Sequence, residues 1–191
     1  RPEEKIISTM MLRSMKHARY DAVCLGHFGL ASKYYTHFTS PIRRYPDLEI
    51  HRVIKKSLKG RVGGKELEIL SRRIPASADQ SSIREQVAEE AEREVLDMKK
   101  AEYMAQHIGE VFTGVINSVL SFGFFVELPN TCEGLVHISS LTDDYYSFWE
   151  KEMVLFGQHT KKMYRIGDEV RVQVVRVDVD QRRVDFEISD E

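Results

Sequence analysis

With 191 residues, 42% hydrophobic and 30% charged, the chain has room for one ordinary domain or two small ones. No run approaches the roughly 20 apolar residues of a membrane helix, and Arg1 to Lys5 lack the apolar core and cleavage site of a secretory signal. A formal net charge of −2 supplies no basic excess, so a nucleic-acid partner would have to be met by a local basic face. Cys24 and Cys132 stand far apart with no His or Cys cluster beside either, which reads as reduced thiols in a cytoplasmic protein and not as a zinc site. The chain opens on Arg1 directly into helix-like sequence and reads as a piece of something longer.

Ile6, Ile7, Met10, Met11 and Met15 recur at helical spacing and predict an amphipathic helix over roughly Glu3 to Arg19. The glycine-punctuated run Leu25 to Leu30 and the Tyr-, Thr- and Ser-rich run Ala31 to Pro41 predict strand or loop. A helix fits from about Pro46 to Gly60: proline suits a first turn, Asp47 the positive helix end, and Leu48, Ile50, Val53, Ile54 and Leu58 an apolar side. Asp47 and His51, one turn apart, suit a local side-chain pair. Gly63 and Gly64 break the chain, and Lys65 to Arg73 predicts a short helix stopped before Pro75. Ser82-Ile83-Arg84-Glu85 has the pattern of a capping box. It opens a long helix to about Gln106, with Ile83, Val87, Ala91, Val95 and Met98 as the buried stripe and Glu89, Glu90, Glu92, Arg93 and Lys99 on a solvated face.

At Gly109 the grammar changes. Alternating apolar and polar residues, separated by glycines and asparagines, predict strands near Glu110–Val119, Phe122–Leu128, Gly134–Ile138, Glu169–Val177 and Arg183–Ile188. A long connection, Ser139 to Gly167, carries Tyr145, Tyr146, Phe148 and Trp149. Five short strands with one long loop between the third and fourth fit a small OB-type barrel. The chain thus reads as α+β: a mainly helical segment over 1–107, then a five-stranded antiparallel barrel over 108–191.

Gly109 to Ile116, Phe122-Gly123-Phe124-Phe125-Val126 and Glu133 to Ser139 together resemble the S-one RNA-binding domain, an OB-fold module. Unpaired bases expose π faces, and an aromatic ring on a sheet surface stacks on any of them. Strict alternation separates Phe122, Phe124 and Val126 from Phe125, but a twist or bulge at Gly123 would let Phe122 and Phe125 converge. Phe124 is assigned to the core; for Phe122 and Phe125, core and RNA-stacking roles both stand. The resemblance implies that Phe122, Phe125 and His137 form the RNA-facing patch, with Asp178 and Arg183 beside it. His137 alone would also suit a structural histidine, and Asp178 and Arg183 a surface ion pair.

Ahead of the barrel, Gly26-His27-Phe28-Gly29-Leu30-Ala31 and Tyr35-Thr36-His37-Phe38-Thr39-Ser40-Pro41-Ile42-Arg43-Arg44-Tyr45-Pro46-Asp47 form a distinctive string. It resembles the end of the catalytic (RNB) domain in the ribonuclease R and ribonuclease II family of processive exoribonucleases, and is nearer the ribonuclease R wording. Thr39 and Ser40 offer hydroxyl and backbone N–H donors toward a phosphate, ahead of a helix N-terminus. The fork of Arg43 matches two phosphate oxygens. The resemblance implies that Arg43 is the catalytic arginine at the scissile phosphate. Arg44 would hold either the RNA backbone or an acidic neighbour, and Glu85 either lies near the RNA path or is the acid of the capping box.

The family hydrolyses RNA from its 3′ end to nucleoside 5′-monophosphates with magnesium held by clustered aspartates. That aspartate-rich string does not occur here, and Asp21, Asp47 and Asp79 are isolated acids. The resemblance therefore implies the C-terminal portion of such an enzyme, with magnesium in the full-length protein, no metal ligand in this chain, and no hydrolysis by this chain alone. The partners expected are single-stranded RNA and the upstream part of the same polypeptide, with the ribosome as a further candidate and no membrane. The alternatives are a stand-alone, non-catalytic RNA-binding or ribosome-associated module, and a docking helix over Ile83 to Gln106.

Overall fold

The computed structural model describes residues 8, 11, 12 and 14–189. They divide into a unit spanning Lys16–Ala91 and a second one built on Glu92 onward. Most of the helix predicted over Glu3 to Arg19 lies outside the described residues; Ser8, Met11, Leu12 and Ser14 are helical, and residues 16–20 are not.

In the first unit a single turn of 3-10 helix, Phe28–Leu30, is capped by His27, whose Nδ1 accepts the Leu30 N–H at 3.1 Å. Helix α1, Tyr45–Leu58, starts as expected, with Pro46 in its first turn. Its expected apolar side is only partly covered, however, with Leu48, Ile50 and Val53 half-buried. Asp47 and Glu49 are its buried residues, while Ile54 and Leu58 are exposed. Each buried acid is matched by an arginine: Arg44 holds Asp47, and Arg73 reaches Glu49 at 3.1 Å.

Helix α2 runs unbroken over Lys65–Met104 and carries Pro75 inside it. The expected stop before Pro75 and the restart at Ser82 are therefore both corrected. Proline removes one N–H rung and crowds the preceding turn, but the strong helix formers on either side supply the remaining rungs. Ser82 caps nothing. Its hydroxyl donates to Ala78 O at 3.0 Å, four residues back, and accepts the Tyr20 N–H at 2.9 Å. The predicted buried stripe is corrected too, because Ile83, Val87 and Val95 are 58%, 51% and 54% exposed.

The second unit is a closed barrel with strand order β1-β2-β3-β8-β7. Its strands are β1 (Val111–Leu120), β2 (Gly123–Glu127), β3 (Glu133–His137), β7 (Glu169–Asp178) and β8 (Arg183–Ile188). The five expected strands are these, and the α+β class holds. One pairing departs from the antiparallel expectation: β3 and β8 run parallel, Leu135 beside Asp185 and Val136 beside Phe186. Alternation buries Ile116, Phe124, Val126, Val136, Val172, Val174 and Phe186 inside. Bulges between Ile116 and Ser118 on β1 and between Val174 and Arg176 on β7 add the bend that closure needs.

The long connection is not a bare loop. It forms a three-stranded sheet of β4 (Tyr146–Trp149), β5 (Val154–Gly157) and β6 (Met163–Arg165). Tyr164 stacks on Phe124 with ring centroids 4.7 Å apart, joining this sheet to the barrel core. Met104, the last residue of α2, belongs to the same core with no exposed surface, and Ala101 is 1% exposed.

Candidate nucleic-acid interface

On the barrel, the Phe122 and Phe125 rings meet edge to face, with centroids 6.5 Å apart and planes at 89°. Phe122 is 43% exposed and Phe125 half-buried, while Phe124 is fully buried. Phe122 escapes the alternation because β2 begins only at Gly123, so it stands in the turn before the strand. The register of β2 against β3 is unbroken, and the bulge expected at Gly123 lies on β1 instead. Gly123 is still required. Its φ is +151°, and an added Cβ would collide with the Val136 carbonyl.

These two rings line a groove of about 800 Å³ in which Asp178 and Arg183 also stand. Asp178 and Arg183 are cross-strand partners on β7 and β8 but form no ion pair with each other. Asp178 accepts the Gln181 N–H at 2.9 Å and lies 3.9 Å from Arg176, leaving the Arg183 guanidinium without a carboxylate partner among the described residues. His137 is exposed at the end of β3, opposite Gly123, and its Nδ1 accepts the Ser139 N–H at 3.2 Å. It belongs to the outer face of the sheet but does not line the groove.

Sequence reasoning missed the other wall. Arg93, Asp97, Lys100 and Ala101 of α2 line the groove, and so do Arg176 and Arg182. The signal was present in the spacing, since positions 93, 97, 100, 101 and 104 share one helix face, and its last two members are buried. Arg182, in the left-handed region at φ 55°, donates to Glu94 at 2.9 Å and pins the β7–β8 turn to α2. The five cations of the lining face four carboxylates: Asp97, Glu133, Asp178 and Asp185. Glu133 is held by the Asn117 amide at 2.8 Å and Asp178 is occupied as above. The local cationic excess is real but small.

In the helical unit, Asp47 organises the turn before α1. One carboxylate oxygen, Oδ2, accepts the Ser40 N–H at 2.8 Å and the Arg44 guanidinium at 2.8 and 3.2 Å. Burial would raise this carboxyl, but the Ser40 N–H and Arg44 outweigh it and hold it below the usual carboxylate range. The backbone N–H that Ser40 was expected to offer a phosphate is thus already used, although its hydroxyl and the exposed Thr39 remain. Arg44 takes the acidic neighbour of its two expected roles. Arg43 differs: it is exposed, and its side chain has no hydrogen bond among the described residues.

The expected pairing of Asp47 with His51 does not form. His51 stacks flat on Phe38, centroids 4.2 Å apart, and its Nε2 lies 2.9 Å from Phe38 O. Glu85 sits inside α2 and caps nothing; its Oε1 accepts the Tyr20 hydroxyl at 3.3 Å, which also lies 3.1 Å from His37 Nδ1. Burial, with the Glu85 charge and hydrogen bond, pushes the Tyr20 phenol up. Among the described residues no three His, Cys, Asp or Glu side chains gather into a group able to hold a metal. No described helix is long and apolar enough to cross a membrane.

Comparison with known proteins bears on both regions. A family model for the RNB domain matches residues 1–60, and one for the S1 RNA binding domain matches 106–189. The chain is 49% identical over 186 residues to ribonuclease R 1 of Lactococcus lactis, covering 97% of this chain and 23% of that protein. It is 47% identical to ribonuclease R of Thermotoga maritima, covering 100% and 27% respectively. It therefore spans about a quarter of the length of the curated relatives it matches. Among solved structures, RNase R of Mycoplasma genitalium, in its apo form and in complex with ribose methylated single-stranded RNA, superposes with a TM-score of 0.87 at 33% identity. Each match covers 96% of this chain and 29% of the other.

Proposed function

Since the chain belongs to the ribonuclease R family, as the end of an RNB domain followed by an S1 domain, we propose that it is the C-terminal portion of a processive hydrolytic exoribonuclease acting on RNA from the 3′ end. In this reading the barrel grips single-stranded RNA, and the turn before α1 supplies Arg43 to the scissile phosphate. The observation that carries it is the pair of rings, Phe122 and Phe125, standing in a groove beside Arg183, which has no carboxylate partner among the described residues. Rings at right angles offer one base face each, and a stacked base contributes about 1–3 kcal/mol.

The roles of the two adjacent arginines follow from their partners. Arg44 is spent on Asp47 and fixes the turn; Arg43 is exposed in that turn and has no ion pair among the described residues. A guanidinium held ready outside its own protein's ion pairs stabilises charge developing on phosphate oxygens without reorganising. Magnesium would be needed for hydrolysis in the whole enzyme. Among the described residues no group of acids fits it, and in this reading its ligands lie in the upstream part of the polypeptide. Hydrolysis by this chain alone is not expected, the working enzyme is placed in the cytoplasm, and the exposed face of α2 fits packing against the upstream part of the polypeptide.

Titration of the chain with a fluorescent oligoribonucleotide tests the binding claim. Phe122→Ala and Phe125→Ala should each weaken binding by about 5- to 100-fold while the far-ultraviolet circular dichroism is unchanged. Equal affinity in both variants would remove the stacking role. In the complete enzyme, Arg43→Ala should lower turnover far more than RNA affinity.

A further inference from the structure

We infer that the last turns of α2 form a phosphate-binding wall for the RNA strand, with Arg93 and Lys100 as its contacts, so that the RNA site is a two-sided groove and not the barrel face alone. This rests on the RNA-binding reading above. The two cations stand seven residues apart, two turns along one helix face, and both line the groove that holds Phe122, Phe125 and Arg183. Neither has a carboxylate within ion-pair distance among the described residues, in contrast to Lys99, which is taken by Glu102 at 2.7 Å. The wall is rigid. Met104 is buried in the barrel core just beyond Lys100, and Arg182 ties the β7–β8 turn to Glu94. A helix so fixed presents its charges at a set distance from the rings, which suits a strand whose bases stack on one side while its phosphates face the other. Asp97 lies between the two cations on the same face and lowers the local potential.

The test is the salt dependence of oligoribonucleotide binding by the full chain. The double variant Arg93→Gln, Lys100→Gln should weaken binding roughly three- to tenfold at low salt. It should also flatten the slope of log affinity against log salt by about 0.7 for each lost contact. Asp97→Asn should tighten binding, and Lys99→Ala should leave both quantities unchanged. An unaltered slope in the double variant, with Phe122→Ala still weakening binding, overturns the helix wall and leaves the barrel site standing. Weaker binding by Asp97→Asn overturns it as well. If the unmodified chain itself does not bind, the RNA-binding reading fails and the wall with it.

Discussion

The barrel and the Lys16–Ala91 unit solve the burial problem in opposite ways. The barrel closes on itself: Ile116, Phe124, Val136, Val174 and Phe186 are sealed from water, and Met104 plugs one side. The helical unit buries Leu70 and two carboxylates, Asp47 and Glu49, while Phe28, Ile42 and Leu58 lie open. Buried acids stay ionised only when matched, and arginine does the matching in both cases. The barrel therefore takes its stability from non-directional apolar burial, and the helical unit takes its shape from a few directional ion pairs. The first provides a platform that tolerates surface change. The second fixes one turn and leaves several large apolar side chains, Ile54 among them, exposed.

The sharpest way to break this contrast is a pair of truncations. Phe186→Ala empties the centre of the barrel and should cost about 3–5 kcal/mol, whereas Val87→Ala on the open face of α2 should cost under about 0.5 kcal/mol. Chemical denaturation followed by the emission of Trp149, the single tryptophan, reads the first through the sheet that Tyr164 joins to the barrel core; circular dichroism of the helix reads the second. Comparable costs would mean that the helical unit has a core of its own. Met104→Ala sharpens the boundary: if the end of α2 belongs energetically to the barrel, Trp149 should report a loss of about 2–5 kcal/mol.

Asp47 tests the other half. In Asp47→Ala the Ser40 amide loses its acceptor, and its hydrogen exchange should speed up by about tenfold or more, with barrel amides unaffected. The pH dependence has a definite sign. A carboxyl held below its unfolded value near 3.9 contributes stability that is fully present above that value and is lost as pH falls through the lower folded one. Protection at Ser40 should therefore fade on acidification in the native chain and be absent at every pH in the variant.

Much of the barrel was legible because alternation and turn residues are local signals, and the five barrel strands β1, β2, β3, β7 and β8 repeat them. The convergence of Phe122 and Phe125 was legible in outcome but not in cause: the strand starts one residue later than the pattern suggests. Helix α2 was misread because Pro75 and the Ser82–Glu85 pattern are local stop and start signals, overridden by a helix that continues through both. The burial of Asp47 and Glu49 reverses the ordinary hydrophobic ranking, and only the arginines that meet them in space explain it. The helix wall of the groove escaped because Arg93 looks like any solvated charge until the barrel is set beside it.

A small effect is expected from the sheet that the sequence concealed. Tyr146 to Arg165 fold into β4–β6 around Asp144, whose carboxylate accepts the Thr160 hydroxyl and N–H at 2.7 and 2.6 Å and the His159 and Tyr145 N–H groups. Burial works against this charge, but those four donors prevail and lower the carboxyl to about 2. Four contacts from residues up to sixteen positions away explain why no local pattern betrayed the sheet. Because the folded value lies below the unfolded one, the contribution of Asp144 is complete above about pH 4 and disappears as pH falls through about 2. Asp144→Asn should lower the thermal midpoint read by Trp149 only by about 2–4 °C, because the aromatic contacts of Tyr164 with Phe124 still anchor the sheet to the barrel. It should also remove the acid-dependent step in emission below pH 4. If the variant keeps that step, another carboxylate controls the sheet. If the variant loses the whole barrel, the sheet is part of the platform and not an ornament on it.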